Sequence, residues 1–235
     1  QTGAQVLDSG GVQIQYVDKG RGTPVVLLHG FTGSYARHWE APGVMAALEA
    51  AGYRVVAMDC RGHGQSGKPH EASQYGLEMA QDVVRLLDHL HIDRAHVVGY
   101  SMGGWIASQL LVRHPARLKT VTVLGSGWEG EDLTAITSMM SALADGFAKR
   151  DASALISRVN SGSQAEPSAA EIAAMNESLF ARNDHLALSA CARGMTSLFN
   201  VPAAGLRAAK IPMLAIVGEE DTPNVESVKR LGTVV

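Results

Sequence analysis

Apolar residues along this chain switch between two periods. Val12 to Val17 alternates in period two, the pattern of a half-buried strand, and Pro24 then leads into the unbroken run Val25 to Leu28, a buried strand ending at His29-Gly30. From Trp39 to Ala50 the spacing of Val44, Met45, Ala47 and Leu48 predicts a helix with Gly52 as its C-cap, followed by a strand over Tyr53 to Met58. Helical spacing returns over Leu77 to Leu90, then a strand over Ala95 to Gly99, a helix over Met102 to His114 closed by Pro115, and a strand over Lys119 to Leu124. Strands that alternate with helices build βαβ units, so the expected fold class is α/β, a mostly parallel sheet flanked by helices.

After Trp128 the pattern changes to Met-, Ala- and Ser-rich helical stretches without a convincing strand. Residues 128–207 are therefore expected to form a helical cap inserted into a core made of 1–127 and 208–235. Ile211 to Gly218 predicts a further buried strand and Asn224 to Leu231 a short helix. Thr233 to Val235 reads as the start of one more strand, truncated where the chain stops.

Composition narrows the function. Of 235 residues, 46% are hydrophobic and 18% charged, enough to bury a core, and the net charge of −3 offers no basic field for nucleic acid. No apolar run approaches the roughly 18 residues of a membrane span. Cys60 and Cys191 read as free thiols, and no His, Cys, Asp and Glu cluster has metal-ligand spacing, so neither metal nor cofactor is expected. The first residue is Gln1 rather than Met, which implies upstream processing and leaves both a cytoplasmic and an exported soluble protein open. Oligomeric state leaves no mark on the pattern.

The most specific chemical signal is Gly99-Tyr100-Ser101-Met102-Gly103, a G-x-S-x-G between a predicted strand and a predicted helix. That context puts Ser101 on a sharp turn as a nucleophile, with the helix N-terminus behind it. His29-Gly30-Phe31-Thr32-Gly33-Ser34, at the end of an earlier strand, can complete an oxyanion hole, with the backbone N–H groups of Phe31 and Met102 as donors. Trp128, Met139 and Met140 are candidates for a substrate pocket; Met175 and Met195 share that reading, and core packing competes with it. The loop Arg61 to Pro69 imitates a nucleotide site. Pro69 follows Lys68 where a P-loop needs Ser or Thr, and Gln81 and Asp82 fall on a helix where a dinucleotide fold needs a strand-end acid.

Taken together, HGFTGS, MDCRGHGQSGKP (Met58 to Pro69), VVGYSMGG (Val97 to Gly104) and IVGEEDTP (Ile216 to Pro223) resemble the α/β-hydrolase superfamily, in its capped esterase- and lipase-like group. The resemblance implies a Ser, Asp, His triad in that chain order, and Asp221 rather than Glu219 or Glu220 matches the acid position. Asp59, Arg61 and Ser66 would tie their loop to the sheet. The family places its histidine downstream of the acid, whereas all nine histidines here precede Asp221; His29 would come nearest Ser101, in a position with a structural role. The expectation is a truncated chain, poor in catalysis by itself, or a silent relative.

The implied function is hydrolysis of carboxylic esters with small to medium acyl groups through an acyl-enzyme, a small-molecule ester being the partner. Thioesterase, lactonase and cofactor-free perhydrolase remain as alternatives, as does a catalytically silent ligand-binding scaffold. Epoxide hydrolases and dehalogenases of this fold use Asp as nucleophile, which Ser101 replaces. Carbon–carbon bond hydrolases usually show Asn where Tyr100 stands.

Overall fold

The computed structural model describes residues 3–159 and 167–235. Its strands are β1 (Gln5–Ser9), β2 (Val12–Gly20), β3 (Pro24–Leu28), β4 (Arg54–Met58), β5 (Ala95–Tyr100), β6 (Leu118–Leu124) and β7 (Met213–Ile216), joined in one sheet of order β1-β2-β4-β3-β5-β6-β7. β1 with β2 and β2 with β4 run antiparallel, and every other pair is parallel. This is the mostly parallel α/β sheet expected from the pattern. β3 and β4 are central and buried on both faces, which is why they read as continuous Val, Leu and Ala runs.

Helices α1 (Val44–Ala50), α2 (Leu77–His89) and α3 (Met102–Arg113) connect the first parallel strands. Between β6 and β7 every described helix or strand is a helix: α4 (Thr134–Ala148), α5 (Ser153–Val159), α6 (Ala169–Phe180), α7 (His185–Gly194), α8 (Thr196–Phe199) and α9 (Ala203–Ala208). α6 starts with a capping box between Ser168 and Glu171, and α7 with the Asp184 carboxylate accepting from Leu186 and Ala187 N–H. α10 (Thr222–Leu231) follows β7. One apolar cluster joins the sheet to α2, α3 and the inserted helices; a smaller one lies on the opposite face, around Tyr35, Trp39 and Met45.

Four local expectations are corrected. β1 went unread: Gly10 and Gly11, at φ of 66° and 85°, form a two-residue hairpin turn that pairs Gln5–Ser9 with β2. The helix expected from Trp39 to Ala50 is split, because Pro42 and the left-handed Gly43 (φ 82°) stop a wide turn over Ala36–Glu40 before α1 begins. The Ile211 to Gly218 segment is not a buried strand. β7 pairs only with β6 at the sheet's end, so Leu214 and Ile216 are 54% and 51% exposed. Thr233 to Val235 does not begin a strand; the Thr233 and Val234 N–H groups bond Arg230 and Leu231 carbonyls and extend the last turn of α10.

The loop after β4 is anchored by charge in the interior. Arg61 and Asp82 are 1% and 0% exposed, and the guanidinium donates to both carboxylate oxygens, at 2.7 and 2.5 Å. Ser9 Oγ also donates to Asp82, and Arg61 reaches the Gln74 carbonyl. Removing one partner strands the other's charge without water, which costs far more than the pair contributes. Asp82→Ala is therefore expected to lower unfolding free energy by about 3 to 5 kcal/mol in urea titration. A loss under about 1 kcal/mol would contradict this account, and the paired substitution Arg61→Met with Asp82→Leu should recover most of the loss.

Candidate active site

Ser101 stands between β5 and α3 at φ 51° and ψ −114°, a conformation that side chains other than glycine rarely adopt. Its N–H donates to the Leu124 carbonyl at 2.8 Å, and its own carbonyl accepts from Gly104 N–H at 2.8 Å, so strand and helix both hold the turn. Glycines let these elements close on it. A Cβ on Gly99 would lie 2.1 Å from the Gly103 carbonyl oxygen, and one on Gly103 would lie 2.2 Å from that of Leu28.

The turn after β3 sits against the serine. A Cβ on Gly30 would be 3.3 Å from the Ser101 Cβ and 2.9 Å from the Tyr100 ring. Gly33 N–H closes the turn on the Gly30 carbonyl at 3.1 Å, with Thr32 at a φ of 59°. Among the described residues, no acceptor takes the N–H of Phe31 or of Met102. The Phe31 ring points into the insertion, its centroid 5.6 Å from Phe147 of α4, which in turn meets Phe180 of α6. Asp221 precedes α10, and its Oδ2 accepts from Asn224 at 2.8 Å. A Cβ on Gly125, at the end of β6, would lie 4.0 Å from that oxygen and 3.2 Å from the Tyr100 ring. The sheet thus gathers Ser101, Phe31, Met102 and Asp221 at the C-terminal ends of β3, β5, β6 and β7, where open α/β sheets leave their crevice.

A family described as alpha/beta hydrolase fold matches residues 23–186, more than half of the chain. The chain belongs to the α/β-hydrolase fold family. Among curated relatives, this hydrolase-fold chain is 41% identical over 123 residues to the dihydrolipoyllysine-residue acetyltransferase component of an acetoin cleaving system from Cupriavidus necator, covering 51% of this chain and 31% of that protein. It is 34% identical over 123 residues to bifunctional epoxide hydrolase 2 of Sus scrofa, covering 52% of this chain and 21% of that one. The matches thus span less than a third of either relative's length. A solved structure described as Est816, an N-acyl homoserine lactone degrading enzyme, superposes with a TM-score of 0.74 at 29% identity over 98% of this chain and 88% of its own.

The pocket candidates belong to the same apolar cluster that Phe31 packs against. Met140 is buried in the main core and Met139 packs against it, so α4 uses both for packing. Trp128 is half-buried, and its indole N–H donates to the Val201 carbonyl at 2.8 Å, which locks it between β6 and the α8–α9 connection. Asp59, Arg61 and Ser66 do tie their loop down: the Asp59 carboxylate accepts from Tyr35 and Gln65 N–H, and Ser66 Oγ bridges the Asp59 carbonyl and Gln15 N–H.

Sequence reasoning missed a cluster of imidazoles beneath the Phe31 turn. His29 faces His63 at 5.3 Å and His38 at 6.2 Å between ring centroids. His29 Nε2 accepts from Cys60 N–H at 2.9 Å and its Nδ1 lies 2.8 Å from the Gly30 carbonyl, so both nitrogens are engaged and the ring serves as a strut. His38 Nδ1 accepts from Gly30 N–H at 3.1 Å, which fixes the start of the turn. His63 Nδ1 meets the Arg61 carbonyl at 2.9 Å. The signal lay in His29 and His63 beside the turn glycines Gly30, Gly62 and Gly64; His38, just before the helix expected from Trp39, carried none.

Burial holds all of these rings neutral: it lowers His29 and His38 to about 4 and His63 to about 3. The unfolded rings protonate near the ordinary value of about 6.5, so stability should be full above that pH and decline as pH falls toward 4. For fully buried His29 the loss is about 3 kcal/mol. Urea midpoints recorded from pH 8 to pH 4 should show this decline, and His29→Gln should flatten part of it; a midpoint constant over that range would refute the neutral cluster. Gly103→Ala should cost about 3 kcal/mol or more, because its Cβ meets backbone rather than a movable side chain. A thermal midpoint unchanged from the parent would contradict the close approach.

Proposed function

We propose that the protein hydrolyses carboxylic esters with small to medium acyl groups through an acyl-enzyme on Ser101. The observation that carries this reading is the serine held at φ 51° on the strand-to-helix turn, with the unengaged N–H groups of Phe31 and Met102 beside it. In that arrangement the Ser101 oxygen attacks the acyl carbon and the carbonyl oxygen gains charge. The Phe31 and Met102 N–H groups, fixed before reaction, meet that charge without reorganisation, an effect of about 10² to 10³ in rate per donor. The family resemblance implies a histidine base that takes the Ser101 proton, with Asp221 to orient it and stabilise the imidazolium; no histidine of this sequence is assigned that role. Water then releases the acid.

The nucleophile decides between the activities of the named relatives. A serine that opened an epoxide would form an ether, which water does not cleave, whereas a serine that attacks an ester or lactone forms an ester that water releases. Lactones and thioesters fall within the same chemistry as open-chain esters. Residues 128–207 act as the cap of this site.

The second reading is a silent scaffold that holds a small ligand. One observation favours it: His29 spends both ring nitrogens on backbone groups.

Treatment of the natural full-length polypeptide with a fluorophosphonate is expected to add one adduct by intact mass, absent from Ser101→Ala. The same variant should lose about 10⁶ in ester turnover number. Absence of an adduct, or an equal adduct on Ser101→Ala, would remove the esterase reading and leave the scaffold.

A further inference from the structure

Past Phe31 the turn opens on a cleft of about 500 Å³, bounded on the core side by Thr32 and Arg37 and on the insertion side by α5 and α6. Leu155, Val159, Met175 and Leu179 form its apolar wall, and Val159 and Met175 are left 74% and 44% exposed there. Large apolar side chains at such exposure are unfilled binding surface when they line a concavity. Two guanidinium groups, those of Arg37 and Arg182, share the cleft. Arg182 donates only to Ser178 Oγ, at 2.7 Å, and neither arginine pairs with a carboxylate among the described residues. No Asp or Glu lines the cleft among those residues.

An apolar wall beside unneutralised guanidinium selects an amphiphile with an anionic end. The wall gains from taking up hydrocarbon, and the planar fork of Arg matches a carboxylate better than it matches a hydroxyl. We propose that this cleft binds an aliphatic carboxylate, with the chain along α5 and α6 and the carboxylate on Arg37 and Arg182.

Calorimetry with octanoate and octan-1-ol on the Ser101→Ala protein tests the cleft without any need for catalysis. Octanoate is expected to bind about tenfold more tightly than the alcohol, and Arg37→Gln with Arg182→Gln should abolish that preference while leaving alcohol binding intact. Equal affinity for the two ligands, an unchanged preference in the double variant, or no binding of octanoate would each overturn the proposal.

Discussion

The backbone of Ser101 is the constraint on which the rest of the site depends. A serine at φ 51° sits about 1 to 3 kcal/mol above a relaxed conformation, and it stays there only because its surroundings over-determine it. The Leu124 carbonyl holds its N–H, α3 begins at once on its carbonyl, and the strand and helix approach so closely that Gly99 and Gly103 tolerate no side chain. The core that flanks α3 supplies the restoring force: Met102, Ile106, Ala107 and Leu110 are completely buried in it.

The turn after β3 answers this strain from below. It passes Ser101 through a space too narrow for a Cβ on Gly30. Its support is a cluster of imidazoles, His29 and His63 buried and His38 half-buried; the bonds that His29 Nε2 and His38 Nδ1 accept from the Cys60 and Gly30 N–H groups hold only while those rings are uncharged. Arg61, on the same loop as His63, is fixed by opposite means, a full charge matched inside the protein by Asp82 of α2. Neutral rings and a paired charge are the two ways a buried polar group avoids its desolvation cost, and this loop uses both.

The inserted helices attach to this floor through aromatic contact more than through charge. Phe31 touches Phe147, and Phe147 touches Phe180, so the turn that faces the serine is also the seat of α4 and α6. What shapes the crevice is thus coupled to what performs the proposed chemistry. The likeness to proteins as different as epoxide hydrolase 2 and a lactone-degrading enzyme fits a fold that does not by itself fix the reaction.

The alternation of buried strands and amphipathic helices, the strand-to-helix turn at Ser101 and the turn after β3 were legible in the chain, because each is a local pattern of period, glycine spacing or strand end, whereas the acid role of Asp221 came only from the family resemblance. The hairpin at Gly10-Gly11 was equally local and was passed over. What the chain could not display was everything that depends on elements distant in sequence. That β7 is an edge strand with Leu214 and Ile216 exposed follows from sheet order, and an apolar run reads the same at an edge as at a centre. That Met140 serves the core, that Trp128 is locked to Val201, and that His38 caps Gly30 depend on which surfaces meet in space. Sequence determined the elements and the turn that carries Ser101, since these are dictated by neighbours a few residues apart; only tertiary packing decided the surroundings of the histidines, the methionines and the cleft, since a side chain's environment is set by whatever folds against it.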